Sequence, residues 1–221
     1  MIKIKILYDN TSCRKDLTSD WGFSAYIEAG GRHILFDTGS DGHILMGNMR
    51  RMQVEPSVID MVFISHNHFD HIGGLASFLH DNPDVDVYVP ESLRGVKRAR
   101  NIVHVSAPLR ISETLFSTGE LPGNEQALII ASPEGSVVIV GCSHPGLERI
   151  KEAASRNGKI HMILGGLHEF HQYDLLEDVD LVCPTHCTRF IKGIAEHFPE
   201  KYIPGGAGRC VTIPYKPDAA L

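Results

Sequence analysis

Ser65-His66-Asn67-His68-Phe69-Asp70-His71 places three histidines and an aspartate within six residues. Two histidines one residue apart on extended backbone point to the same side of the chain, so both can reach one metal ion. Asp70 and His71 follow at once, and the backbone must turn there for them to aim at a second ion. The run follows Ile59-Asp60-Met61-Val62-Phe63-Ile64, an apolar, β-rich segment, and precedes Ile72-Gly73-Gly74-Leu75, where the chain can turn into a helix. A strand end opening into a helix is where α/β proteins place their chemistry. A histidine-rich surface loop rarely has a strand before it and a glycine pair after it.

Working outward, the 221 residues suit a single domain spanning 1–221. Hydrophobic content of 43% and charged content of 22% are ordinary for a globular chain. The formal charge of −6 argues against nucleic acid as a partner, which calls for a basic footprint. Two bound divalent ions would cancel much of it. No apolar run approaches the roughly 18 residues needed to span a bilayer, so no membrane role is expected. Met1-Ile2-Lys3-Ile4-Lys5-Ile6-Leu7 alternates like a strand rather than a signal peptide, and a cytoplasmic location is expected. Cys13, Cys142, Cys183, Cys187 and Cys210 are odd in number and lack framework spacing, which favours reduced thiols.

Strands are expected around residues 2–8, 23–29 and 32–36, with Gly30-Gly31 as a tight hairpin turn. A helix after Ser40 is ended by Pro56, and a strand at 61–65 leads into the metal loop and a helix over 73–81. Val85–Val89 reads as a strand, and 101–118 as short antiparallel strands. In the second half, strands are expected at 127–132, 137–140, 160–164 and 181–183. Helices are expected from Pro145, a good first helical position, and over 189–197. Segments 201–203 and 211–213 close the sheet.

Three times in the second half an apolar strand ends in a histidine: His144, His168 and His186. The recurrence, beside the first loop, marks them as candidates for the same site. The other histidines are left to ordinary core and surface roles.

The His-x-His-x-Asp-His pattern after a buried strand resembles the metallo-β-lactamase superfamily. The resemblance extends over nearly the whole chain. Leu35-Phe36-Asp37-Thr38-Gly39 is similar to its first motif, and Gly141-Cys142-Ser143-His144, Gly165-Gly166-Leu167-His168 and Pro184-Thr185-His186-Cys187-Thr188 fall where later metal motifs are expected. Trp21–Ser24, Thr118–Pro122 and Asn124–Leu128, with the Gly-Cys-Ser-His and Thr-His-Cys-Thr runs, resemble one branch. That branch is labelled dihydropterin–ribofuranosylaminobenzene phosphate synthase, or simply metal-dependent hydrolase. The resemblance implies an α/β fold, a four-layer αββα sandwich of two mixed β-sheets flanked by helices. It also implies a ligand set: His66, His68 and a third histidine, assigned to His144, on one ion, and Asp70, His71 and His186 on the other. In this family an aspartate on a Gly-Asp motif often bridges both ions. Here Gly141-Cys142 stands in that place. His144 could fill the bridging motif's position, with His168 as a further ligand. Cys142 is expected to support the ligands rather than to be one, as is Asp37, whose carboxylate can fix the metal loop.

Imidazole and carboxylate donors suit two divalent ions, Zn2+ first, with iron or manganese as alternatives. Such a pair would hold a hydroxide between them as nucleophile. Asp70 is the expected catalytic acceptor as well as a ligand, and His168 the donor to the leaving group. Helices starting just after His71, His144 and His186 would turn N–H groups toward an anion. The basic run Arg94, Lys97, Arg98 and Arg100 reads either as a solvated helix face or as a rim for an anionic substrate. Arg98 and Arg189 are the candidate substrate contacts. The expected function is a metal-dependent hydrolase acting on a small anionic, phosphate-containing ester. The alternatives are a pterin-linked synthase, a di-iron redox protein and a non-catalytic metal sensor.

Overall fold

The computed structural model describes residues 1–214. Its first-half strands are β1 (Ile2–Tyr8), β2 (Ser24–Ala29), β3 (Arg32–Phe36), β4 (Met61–Phe63), β5 (Asp86–Pro90) and β6 (Asn101–Val105). Then come β7 (Leu109–Arg110), β8 (Leu115–Ser117), β9 (Leu128–Ile130), β10 (Ser136–Val140), β11 (Ile160–Gly166), β12 (Leu181–Thr185) and β13 (Cys210–Ile213). The helices are α1 (Gly42–Arg51), α2 (Phe69–Ile72), α3 (Leu75–Asp81), α4 (Leu147–Ser155) and α5 (Ile191–His197).

The strands form two mixed sheets, ordered β13-β1-β2-β3-β4-β5-β6 and β12-β11-β10-β9-β8-β7. Each is antiparallel in one half and parallel in the other: β3 to β6 run parallel in the first sheet, and β10 to β12 in the second. Gly30 and Gly31, at φ of 58° and 74°, make the tight turn between β2 and β3. Both residues of that turn need the left-handed region that glycine enters freely.

The inner faces of the two sheets pack on each other through Ile4, Phe23, Phe36 and Phe63 on one side and Leu128, Ile139, Met162 and Leu164 on the other. Burial of such side chains contributes about 1.5–3 kcal/mol each. The outer face of the first sheet is covered by Leu45 and Met49 of α1 and Leu75, Phe78 and Leu79 of α3. Leu147, Ile150 and Ala154 of α4 and Ile194 of α5 cover the outer face of the second. Their spacing of three or four residues puts one apolar stripe on each helix. Asp41 caps α1, its Oδ1 accepting from the backbone N–H of His43 at 2.7 Å and Ile44 at 3.1 Å. This is the four-layer αββα sandwich.

Several local expectations differ. β6 pairs parallel with β5, and only β7 and β8 of the 101–118 stretch are antiparallel. Tyr202 makes a single bridge to Val182 instead of a strand. The N–H groups of Lys201 and Tyr202 turn back to the carbonyl of Phe198 at the end of α5, which leaves too few for a ladder. α4 starts at Leu147 rather than Pro145, because Ser143 at φ 61° and a Gly146 N–H···O Ser143 bond make a turn first. α5 starts at Ile191 because the Arg189 N–H donates to the carbonyl of His168. The 94–100 run is not helical; Arg94 pairs with Glu91, and Arg100 with Asp84 and Asp86.

Candidate metal centre

The parallel halves of the two sheets bring their strand ends to one place. β4 delivers residues 65–71, β10 delivers 141–144, and β12 delivers 185–188. Four non-glycine residues at these ends hold the left-handed region: Asp37 at φ 50°, Ser143 at 61°, His168 at 50° and His186 at 48°. Such backbone costs of order 1–3 kcal/mol per residue and persists where surroundings dictate it.

Four three-residue groups have donor atoms within 4.8 Å of one another: His66–His68–His144 and Asp70–His71–His186, which match the expected ligands, and His66–His71–Cys142 and Cys142–His186–Cys187, which share the Cys142 sulfur. Nε2 of His66 is 3.1 Å from Nδ1 of His68. Two nitrogens sharing one zinc at about 2.0–2.1 Å lie roughly 3.3 Å apart in a tetrahedral site, so the spacing suits a common ion. In the second set, His186 Nε2 lies 3.2 Å and His71 Nε2 lies 3.9 Å from Asp70 Oδ2.

The hydrogen bonds behind the rings decide which nitrogen carries the proton, an assignment from the network. Asn10 Oδ1 accepts from the Gly22 N–H and Asn10 Nδ2 donates to the carbonyl of His186, which fixes that amide. Nδ1 of His186, 2.9 Å from Asn10 Oδ1, must then be the donor. Its Nε2 is left with a lone pair facing a carboxylate, buried and without a hydrogen bond. Nδ1 of His71 donates to Asp37 Oδ2 at 2.7 Å, so its Nε2 carries the lone pair and faces the Cys142 thiol at 3.3 Å. Ser65 Oγ donates to Asp37 Oδ2 and so accepts from Nδ1 of His66 at 2.9 Å. Lone pairs converging on one another and on a carboxylate repel unless a cation or proton lies between them. The residues therefore fit metal binding: His66, His68 and His144 could hold one ion, and Asp70, His71 and His186 could hold another.

Electrostatics agree. Burial and the neighbouring histidines push His66 and His71 down to about 3, so both rings are neutral at pH 7. Burial opposes ionisation of Asp70, but the close contact with His186 and the nearby His71 outweigh it and hold the carboxyl below its ordinary range. Burial pushes Asp37 up to about 7.

Each ligand turn is gripped from behind by a buried carboxylate. Asp37 accepts from the Ser65 N–H and Oγ, both at 2.7 Å. Asp9 Oδ1 accepts from the backbone N–H of Asn10 and of His186, both at 2.8 Å. Glu125 Oε1 accepts from Gly141, Cys142 and Ser143 at 3.1, 2.9 and 2.9 Å, and Oε2 from the His144 N–H at 2.9 Å. Nδ1 of His144 is also 2.9 Å from Oε2, a charge contact rather than an aligned hydrogen bond, since that nitrogen is otherwise unpartnered. Sequence reasoning found Asp37 but missed Asp9, Asn10 and Glu125. The rule applied to Asp37, a carboxylate at a strand end, would have found Asp9 after β1. Glu125 sits in a loop and gave no such signal.

The other expected residues are placed as follows. Cys142, expected behind the ligands, has its Sγ 3.3 Å from Nε2 of His71 and groups with His66 as well, one donor from each set. Its thiol is shifted upward by the Cys187 contact and by burial. His168 is exposed, its ring centroid 5.4 Å from that of His144. Both line a cavity of about 320 Å3 with Ser143, Leu167, Phe170 and Gln172. Of the three helix starts expected at the cleft, that of α4 lines this cavity. Arg189 is exposed at its edge, paired with Glu169 at 2.9 Å. Arg98 lines a different pocket, against Ile72, Leu75 and Leu79 beside α3. Trp21 packs against His186 with centroids 5.0 Å apart.

The family model of the metallo-β-lactamase superfamily matches residues 22–100, which include the whole His-x-His-x-Asp-His loop. The solved structure of Tm1679, a metal-dependent hydrolase of the β-lactamase superfamily, covers 96% of this chain and 99% of its own with a TM-score of 0.77 at 23% identity.

Residues 22–100 match the metallo-β-lactamase superfamily, and the chain has the metallo-β-lactamase fold.

It is similar to a 7,8-dihydropterin-6-methyl-4-(β-D-ribofuranosyl)-aminobenzene-5′-phosphate synthase of Methanocaldococcus jannaschii, at 24% identity over 76% of this chain and 80% of the relative. An uncharacterized protein of the same organism is 27% identical over 85% of this chain and 91% of its own length. The metallo-β-lactamase fold thus extends across both halves, and the loop that identifies it carries His66, His68, Asp70 and His71.

Proposed function

We propose that the chain is a metal-dependent hydrolase that binds two divalent ions, Zn2+ first, and cleaves a small anionic, phosphate-containing ester. The observation that carries this reading is the pair of three-donor sets beside a cavity large enough for a small ligand. Ions bound there supply Lewis acidity and an activated water.

The chain's own residues supply the rest. His66, His68, His144, His71 and His186 present imidazole nitrogens, and Asp37 and Asn10 hold the rings of His71 and His186 in the required tautomer. Asp70 is a ligand whose second oxygen can accept a proton. His168 faces the same cavity from outside the donor sets and can protonate a leaving group. Among the six donors only Asp70 is a carboxylate, so ions held there would keep a positive face toward the cavity, which favours an anion. Arg189 stands at its edge.

The test is hydrolysis of nitrophenyl phosphodiesters by protein reconstituted with zinc or manganese. Turnover that disappears in His66→Ala supports the reading. Fully metallated protein that turns over no phosphodiester but does hydrolyse neutral lactones would overturn the phosphate assignment. The similarity to the Methanocaldococcus synthase favours a second reading, in which the same site joins a pterin to an aminobenzene ribose phosphate. Product analysis with those two substrates separates a joining reaction from a hydrolysis.

A further inference from the structure

The carboxylate of Glu125 is 1% exposed, comes from outside the ligand turns, and accepts four consecutive backbone N–H groups, residues 141 to 144. A carboxylate with so many donors keeps its charge well satisfied despite its burial. No lysine or arginine pairs with it among the described residues. The groups facing its charge are the imidazole of His144 and, through His66, the first donor set.

The loop carrying Glu125 is itself braced on the other ligand turn. The Gln126 N–H donates to the carbonyl of Ser65, and Gln126 Nε2 to that of Ile64, both at 2.9 Å. Ser117 Oγ donates to Gln126 Oε1 at 2.7 Å. Gly123, at φ 92°, lies so close to His144 that a Cβ there would sit 3.0 Å from His144 Cβ. One short loop therefore touches the turn bearing His66 and His68 and the turn bearing His144. Those residues come from different sheets.

We propose that Glu125 is the positioning residue of the first metal position. The charge of its Oε2, 2.9 Å from Nδ1 of His144, favours the proton on that nitrogen and leaves Nε2 for the ion shared with His66 and His68, while its Oε1 fixes the turn that sets the ring's height. Asp37 does the equivalent for His71 on the second position. Glu125 touches neither substrate nor ion. It supplies a buried negative charge on the far side of the His144 ring from the first donor set. This rests on the metal-binding reading above, and its test separates the two.

The first measurement uses the parent protein loaded with zinc. A two-dimensional proton–nitrogen spectrum of the histidine rings should show His144 bound through Nε2, with a slowly exchanging proton on Nδ1. Binding of His144 through Nδ1 overturns the proposal. The second uses Glu125→Gln, with Glu125→Asp as the conservative rescue, and chelator competition for zinc. Glu125→Gln is expected to weaken one of the two ions by roughly 10–100-fold and leave the other unchanged. Glu125→Asp is expected to restore part of that loss. A merely structural role would lower the melting temperature of the metal-free protein and weaken both ions together, or neither, and either pattern counts against the proposal. If Glu125→Gln does not fold, the ring spectrum of the parent decides alone. A parent protein that binds no ion sinks the metal reading itself. A parent that binds two, with both unaffected in folded Glu125→Gln, sinks only the role of Glu125.

Discussion

Asp37 Oδ2 lies 2.7 Å from Nδ1 of His71, and both side chains are fully buried. The same carboxylate holds Ser65, the first residue of the loop that carries His66, His68 and Asp70. One group thus sets the tautomer of one ligand and the starting point of three others.

Replacing it should therefore affect metal before it affects fold. Asp37→Asn keeps the shape but turns an acceptor toward a donor. We expect zinc affinity to fall by about 10–100-fold, read by chelator competition. Asp37→Ala leaves the Ser65 N–H buried without a partner and should cost a further ~1–3 kcal/mol in denaturant unfolding. Asp37→Asn binding zinc as tightly as the parent would show that the contact does not tune the site.

The two donor sets should be separable. His66→Ala with His68→Ala should abolish one ion per chain by elemental analysis, and Asp70→Ala with His186→Ala the other. Loss of both ions in both double variants would mean a single cooperative site, and full retention in either would refute that donor set.

Acid should destabilise the metal-free protein. His66 and His71 are held at about 3 in the fold, against an ordinary value of 6.5 for the unfolded chain. Between those values the unfolded chain binds protons that the fold does not. Their stabilisation is complete above about pH 6.5 and is lost as pH falls toward about 3. Asp37, raised to about 7, contributes with the opposite slope, its stabilisation fading as pH rises through about 7. Two histidines against one carboxylate leave a net fall on the acid side. Melting temperatures of chelated protein should decline from about pH 7 to about pH 4. A flat profile would mean that the rings are not held neutral.

Cys142 offers a spectroscopic test. Its sulfur lies 3.3 Å from Nε2 of His71, within hydrogen-bond reach, and metal binding removes a thiol proton even where burial favours it. Cobalt-loaded protein is expected to show a thiolate charge-transfer band in the near ultraviolet. The band should vanish in Cys142→Ser and survive in Cys187→Ser. A parent protein without it leaves the sulfur as packing.

Much of this architecture was readable from the chain. The alternation in β1, the Gly30-Gly31 turn and the strand ends at His66, His144 and His186 announced themselves through local patterning. What was missed lies in tertiary pairing. Glu125 lies in the Asn124–Leu128 run that resembled the branch, but its role stayed hidden because it comes from four N–H groups sixteen to nineteen residues away. The parallel pairing of β6 depends on where β5 lies, and the late starts of α4 and α5 on turns that claim their first N–H groups. Arg98 looked like part of a substrate rim because its neighbours are basic. In the fold those neighbours are partly spent on Glu91, Asp84 and Asp86, and Arg98 lines a separate pocket.

Each donor set draws from both sheets: His66 and His68 from the first with His144 from the second, and Asp70 and His71 from the first with His186 from the second. An ion in either position is therefore a rivet between the two halves of the sandwich. Neither half could bind it alone, so the site can assemble only after the sheets have met. Occupancy then adds its own binding free energy to the hold of one half on the other. Starving the protein of metal would loosen the join itself, and the chain would be lost to unfolding as well as to inactivity.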